Sequence, residues 1–255
     1  GAFSGSELLI GVVLFAFQIY CDFSGYSDIA LGTARLFGIT LLRNFAFPYF
    51  ARDIAEFWRR WHISLTTWFR DYLYIPLGGS RGGKWMSVRN TFIVFLVSGF
   101  WHGANWTFIV WGFLNALYFL PLLLMNKNRQ NMEIAAKGKW LPSLKDLAGM
   151  AVTFSLTLLA WVFFRADSVS GAFVFIRDIF SASLFTAPDI KLHYIWVFII
   201  ILLVFEWIFR EQQYGLQFNE VRLHKSLKWS FMLALGLVIF IFGNFNKTEF
   251  IYFAF

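Results

Sequence analysis

The sequence predicts an all-α, polytopic helical membrane protein, and three observations predict it. Hydrophobic residues fill 58% of the 255 positions and charged residues only 15%, against about 25% charged in soluble domains. Five apolar runs, 7–20, 91–125, 148–164, 192–209 and 229–242, approach or exceed the roughly 20 residues that a helix needs to cross a bilayer. The remaining charges fall in clusters between the runs: from Arg43 to Arg89 eight basic residues stand against three acidic ones.

Taken in order, run 7–20 reads as a span. The stretch after it, "YCDFSGYSDIALGTARLFGI", mixes small, acidic and aromatic residues. It predicts a helix partly in lipid and partly packed, with Asp22 and Asp28 at its polar positions. The segment "RNFAFPYFARDIAEFWRRWHISLTTWFRDYLYIPLGG" is amphipathic and punctuated by Pro48 and Pro76, which predicts a surface-lying or re-entrant path. One helix over 91–125 would be about 52 Å long, far beyond a hydrocarbon core of about 30 Å. A break is therefore expected at Gly99, Gly103 and Asn105.

The loops 126–147 and 210–228 are basic, whereas 165–191 is balanced. Because Lys and Arg favour the cytoplasmic side, 91–125 is expected to enter and return, with 165–191 and the C-terminus outside. Residues 1–255 read as a single membrane-embedded domain, with a basic cytoplasmic-side segment at 43–90 and an aromatic tail at 244–255. Gly1 follows no initiator methionine and no leader pattern is present, so the chain is expected to be the C-terminal part of a longer protein.

Composition narrows the chemistry. A single cysteine, Cys21, excludes an internal disulfide and a Cys-based zinc site, and reads as an inert buried thiol. With no HxxxH or HExxH pattern in the chain, no metal is expected. The net charge of +7 reads as the basic bias of membrane loops rather than as a nucleic-acid surface. The glycine-rich "LGGSRGGKW" lacks the GxxxxGK[ST] of a phosphate loop and reads as a turn, with Arg81 and Lys84 available to a phosphate.

Of four histidines, His193 and His224 sit beside polar residues near the ends of apolar runs, where an interfacial role is the default. His62, in "FWRRWHISL", reads from its neighbours alone as an interfacial histidine or an active group. His102 sits in "FLVSGFWHGANWTFIVWG" with apolar residues on both sides, and an ionisable ring at membrane depth is a functional hypothesis by default. The bland reading is a neutral imidazole bonded to a neighbouring helix. The functional one is a base, since a neutral imidazole accepts a proton near neutral pH, as a hydroxyl attacking a thioester requires. Gly99 and Gly103 would admit a thin substrate, and Asn105 and Trp106 offer donors to an oxyanion. A different class, a proton-coupled transporter using His62, His102 and Asp28, would be favoured by paired repeats; the sequence has none.

Together "YCDFSGYSDIALG", "NFAFPYFARDIAEFWRRWHISLTTWFRDYLYIPLGG", "WHGANWTFIVWG" and "WVFFRADS" resemble the membrane-bound O-acyltransferase family. Within it they are similar to the bacterial branch that O-acetylates polysaccharides outside the cell, alginate among them. The resemblance covers essentially the whole chain and implies a helical membrane fold with re-entrant and interfacial amphipathic helices. It implies an O-acyltransferase in the bacterial inner membrane that passes an acetyl group from a cytoplasmic thioester, acetyl-CoA, toward a polysaccharide. A separate extracytoplasmic transferase of serine hydrolase type is the implied partner. No bound cofactor is implied, and D-alanyl transfer from a carrier protein, as in the teichoic acid system, is the alternative.

Position by position, the resemblance implies that His102 is the catalytic histidine and His62 the second one. Arg59, Arg60 and Arg70 would meet donor phosphates from the cytoplasmic side, a task that suits arginine, and Arg81 of the glycine-rich turn is a further candidate for the same contact. The tail "FIYFAF" resembles that of a helper peptide in D-alanylation whose tyrosine is proposed to carry the acyl group. Tyr252 is thereby implied as an acyl relay, an aryl ester retaining much of a thioester's transfer potential. An aromatic membrane anchor is its plain alternative.

Overall fold

The computed structural model describes residues 3–189, 193–217 and 224–243. Among them the chain forms α-helices and no strands: α1 (Gly5–Leu36), α2 (Ile54–Arg60), α3 (Ile63–Phe69), α4 (Lys84–His102), α5 (Trp106–Leu124), α6 (Leu144–Arg165), α7 (Val169–Ile179), α8 (His193–Phe209) and α9 (Lys225–Phe242). Four of these, α1, α5, α6 and α9, are long and apolar enough to cross a membrane, and α8 is a shorter apolar helix. The chain is therefore a multi-pass membrane protein.

Run 7–20 and the mixed stretch after it are one 32-residue helix, α1. Ser4 starts it with a capping box: its hydroxyl accepts from Glu7 N, and Glu7 Oε2 accepts from Ser4 N at 2.7 Å. Both oxygens satisfy backbone donors that have no partner inside the helix. The amphipathic segment folds as a 3₁₀ turn at Pro48–Phe50, then α2, α3 and a π turn at Arg70–Tyr74. At seven residues each, α2 and α3 are about 10 Å long, too short to span.

Run 91–125 is a helical hairpin whose first arm begins earlier, at Lys84, and whose break lies at Gly103–Asn105. Gly99 is not part of that break. A Cβ on Gly99 would lie 2.3 Å from the Phe108 carbonyl oxygen of α5, and one on Gly112 of α5 would lie 2.3 Å from the Phe95 carbonyl oxygen of α4. The two glycines let the backbones touch, which is how small residues pack membrane helices. The expected loop 165–191 contains a helix, α7, capped by Ser168, whose Oγ accepts from Gly171 N at 3.1 Å.

The helices share two ends. At the basic end Lys84 Nζ donates to the Leu124 carbonyl at 2.7 Å and Arg35 to the Tyr214 hydroxyl at 2.7 Å, while Arg210 Nε reaches the Ala135 carbonyl at 3.0 Å. At the opposite end Gly5 N donates to Ser183 Oγ at 2.8 Å, and Asn105 Nδ2 to the Asp167 carbonyl at 3.0 Å. Between the ends an aromatic core ties α1, α2, α5 and α6. Trp61 packs on Phe57 at 5.5 Å and on Trp161 at 5.3 Å, and Trp161 stacks on Trp111 at 6.2 Å. Outside this core, α9 turns Leu233, Leu237, Phe240 and Ile241 outward, as lipid contact demands.

Candidate active site

His62 and His102, forty positions apart, face one small cavity of about 60 Å³ at the centre of the aromatic core. Its wall includes Trp58, Trp61, Ser98, Trp111, Trp161 and Phe164. His102 is the last residue of α4, with its ring edge-on to Trp111 and Phe164 at 5.1 Å each. His62 arrives by a sharper route, at the bend between α2 and α3 with φ 44° and ψ 55°, the left-handed region that few side chains enter. Asn44 holds the bend. Its carbonyl accepts from Ile63 N at 2.9 Å, and its Oδ1 accepts from Ser64 N at 3.2 Å and Ser64 Oγ at 2.6 Å. The His62 ring then rests edge-on against Phe23 of α1 at 4.7 Å. Burial lowers its pKa to about 4, because a charged imidazole is poorly solvated there.

A second cavity of about 770 Å³ opens toward the basic end. Arg59, Arg70, Lys84 and Arg129 are its cationic walls, with Thr66, Thr67, Tyr74, Ser80 and Ser87 between them. It shares Trp58, Thr66, Val94 and Phe95 with the histidine cavity, so the two adjoin. A third space of about 500 Å³, at the end marked by Asp167 and Ser168, shares Trp161 with the histidine cavity. The histidine cavity thus adjoins the cationic one, and among the described residues a single indole, Trp161, is all it has in common with the third space.

The four arginines do not behave alike. Arg59 lines the cationic cavity, while its guanidinium donates to the carbonyls of Asn128 and Asn131, both at 2.9 Å. Burial lowers its pKa from the usual arginine range. Arg70 is exposed at the rim and pairs with Asp71 at 2.7 Å. Arg60 turns away from the cavity to Glu56 Oε1 at 2.7 Å and the Ala46 carbonyl at 2.9 Å. Arg81 is exposed in the turn before α4, outside the cavity wall.

Asn105 lies beyond His102 at the far end, outside the wall of the histidine cavity. Its Oδ1 caps α5 by accepting from Thr107 N at 3.1 Å, and its amide nitrogen is bonded to Asp167. A hydroxyl that does line the cavity is Ser98, buried one turn before His102 on α4. The i, i+4 spacing of Ser98 and His102 was the sequence signal for it. Arg129 carried no such signal, because only the return of the 126–147 loop over α2 places it. Tyr252 and the rest of the tail lie outside the described residues.

Residues 3–164, which carry α1 to α6 and both histidines, match the family model of the membrane-bound O-acyltransferase family. The chain belongs to the membrane-bound O-acyltransferase family.

Among its relatives, a probable alginate O-acetylase of Azotobacter vinelandii is 40% identical over 182 residues, 71% of this chain and 34% of the relative. A peptidoglycan O-acetyltransferase of Helicobacter pylori is 31% identical over 268 residues, 94% of this chain and 48% of the relative. A teichoic acid D-alanyltransferase of Bacillus subtilis is 30% identical over 157 residues, 59% of this chain and 38% of the relative. The chain thus spans a third to a half of the length of these family members.

Proposed function

We propose that the protein to which this chain belongs is an O-acyltransferase of the bacterial inner membrane. On this reading it moves an acetyl group from acetyl-CoA, entering at the basic end, to a hydroxyl that serves an extracytoplasmic polysaccharide. One observation carries the reading: a pair of histidines lines a small apolar cavity that adjoins a large cationic one. Cationic side chains suit the phosphates of a thioester donor, and the apolar cavity suits the uncharged acyl group.

In the proposed step the acceptor hydroxyl gives its proton to the His102 imidazole as its oxygen attacks the thioester carbon. The C–O bond forms, the C–S bond breaks, and the departing thiolate takes the proton from His102. Ser98, a hydroxyl on the cavity wall, is the candidate oxyanion donor inside the cavity, where Asn105 does not reach. His62 orients the reacting groups as a neutral ring. Arg59, Arg70, Lys84 and Arg129 supply the field for the donor phosphates; Arg60 and Arg81 act outside the cavity. No metal or bound cofactor is required, since thioester transfer supplies its own driving force.

Acetyl is favoured over D-alanyl because the relatives named for O-acetylation match more of this chain. The immediate acceptor is either Tyr252, as a relay, or an external hydroxyl, with an extracytoplasmic serine hydrolase-type transferase completing delivery. To test this, the full-length protein is given isotopically labelled acetyl-CoA and its C-terminal peptide is analysed by mass spectrometry. An acetylated Tyr252, absent in Tyr252→Phe, supports the relay. Label that reaches polysaccharide while Tyr252 stays unmodified assigns the tail to anchoring. Label that reaches no hydroxyl contradicts the function proposed, and returns the transporter reading.

A further inference from the structure

The cationic and histidine cavities meet at a neck formed by the residues they share, Trp58, Thr66, Val94 and Phe95. Trp58 is the largest of these, and its indole is held on three sides. Its Nε1–H donates to Asn115 Oδ1 at 3.2 Å, and the rings of Phe95 and Trp111 stand edge-on to it at 5.3 and 5.8 Å. Asn115 is fixed in turn: its Nδ2 donates to the Trp111 carbonyl, one turn back on α5, at 2.8 Å. An amide buried to 2% exposure in an apolar helix is costly unless both its functions are bonded. Here both are, and one of the bonds fixes a ring at the neck.

Beyond the neck there is little room. At about 10–15 Å³ per water-sized occupant, a cavity of about 60 Å³ takes about four to six heavy atoms. An acetyl carbonyl carbon, oxygen and methyl, with the thioester sulfur and the attacking oxygen, make about five. A butyryl or D-alanyl group adds two more. The aromatic wall of Trp61, Trp111, Trp161 and Phe164 is close-packed and yields little.

Resting on the acyltransferase reading above, we propose that Trp58, pinned by Asn115, is the acyl-length gauge of this protein, admitting a two-carbon acyl group to His102 and refusing four-carbon chains. Trp58 sets specificity by its volume. Asn115 is a positioning residue that acts through Trp58.

The test measures kcat/KM for thiol release from acetyl-CoA and butyryl-CoA by the full-length protein, with Trp58→Leu, Trp58→Phe and Asn115→Leu. The readout is the ratio between donors, which a general loss of folded protein leaves unchanged. Wild type is expected to favour acetyl by about 100-fold or more, since each added methylene in a tight apolar pocket is worth about tenfold or more. Trp58→Leu is expected to cut that ratio at least tenfold by raising the butyryl rate. Trp58→Phe and Asn115→Leu move it in the same direction by a smaller factor, and Trp58→Phe keeps the test readable if the smaller side chain harms folding. A wild type that uses butyryl as readily as acetyl overturns the gauge. So does a ratio that stays within twofold of wild type in all three variants while acetyl-CoA is still turned over, and the acyltransferase reading then stands. Thiol release from neither donor contradicts that reading, and the gauge falls with it.

Discussion

His62 is held in a left-handed backbone conformation, which costs about 1–3 kcal/mol for a residue with a Cβ. The surrounding Asn44 bonds and the Phe23 ring keep it there, so this residue is fixed in place before any substrate arrives. Its burial has a consequence for acid stability. The folded protein holds the imidazole at about 4, while the unfolded chain takes up the proton near the ordinary value of about 6.5. Stability from the neutral ring is therefore complete above about pH 6.5 and falls as pH drops toward 4, where the folded form titrates. Thermal unfolding in detergent from pH 7.5 to 4.5 is expected to show this slope in wild type and a shallower one in His62→Gln. Glu56 is a second buried group whose loss is measurable. Its side chain is 2% exposed and accepts from both Arg52 and Arg60, so Glu56→Ala takes away the carboxylate shared by two largely buried guanidinium groups, leaving Arg52 with Asp146 at 3.6 Å and Arg60 with the Ala46 carbonyl. The expected loss is about 3–5 kcal/mol, read as a lower unfolding midpoint.

The α4–α5 hairpin is the element that places His102, and it depends on two glycines with no room for a methyl. Gly112→Ala is expected to separate the helices and cost about 1–3 kcal/mol as overpacking, checked by the unfolding midpoint and by loss of acyl transfer through the shifted His102. Hydropathy made α1, α6, α8 and α9 legible, and the excess length of 91–125 made the hairpin legible, because lipid imposes both composition and length on a span. It did not reveal the true start of α4, whose first turns carry Lys84, Arg89 and the buried Asn90. The polar face there packs against the preceding turn, where Asn90 Nδ2 donates to the Gly79 carbonyl at 2.9 Å. Nor did it reveal α7, since eleven residues are too few to register as a span. Ser168 at its start was the readable signal, a hydroxyl cap before "VSGAFVFIRDI".

Across the whole molecule, the meeting of His62 and His102 was legible only through the family resemblance, because no sequence spacing states that α2–α3 and α4 close on one cavity. The basic loops were legible by composition, and they do gather at one end, with Asp167 and Ser168 at the other. By the charge rule the first end is expected to be cytoplasmic. Single cysteines placed by Arg129→Cys and Ser168→Cys in the full-length protein, with Cys21 and every other native cysteine replaced by Ser, test this in intact cells: an impermeant thiol reagent is expected to label position 168 and to spare 129, and the reverse pattern would invert the topology. The cationic cavity adjoins the histidine cavity, and the proposed transfer requires His102 to act where the two meet. The most direct measurement is the rate of acetyl transfer from acetyl-CoA by full-length wild type and His102→Gln, with matched unfolding midpoints. A loss of about 10²–10⁴-fold, the usual contribution of a positioned base, is the predicted result; transfer by His102→Gln at the wild-type rate would contradict it.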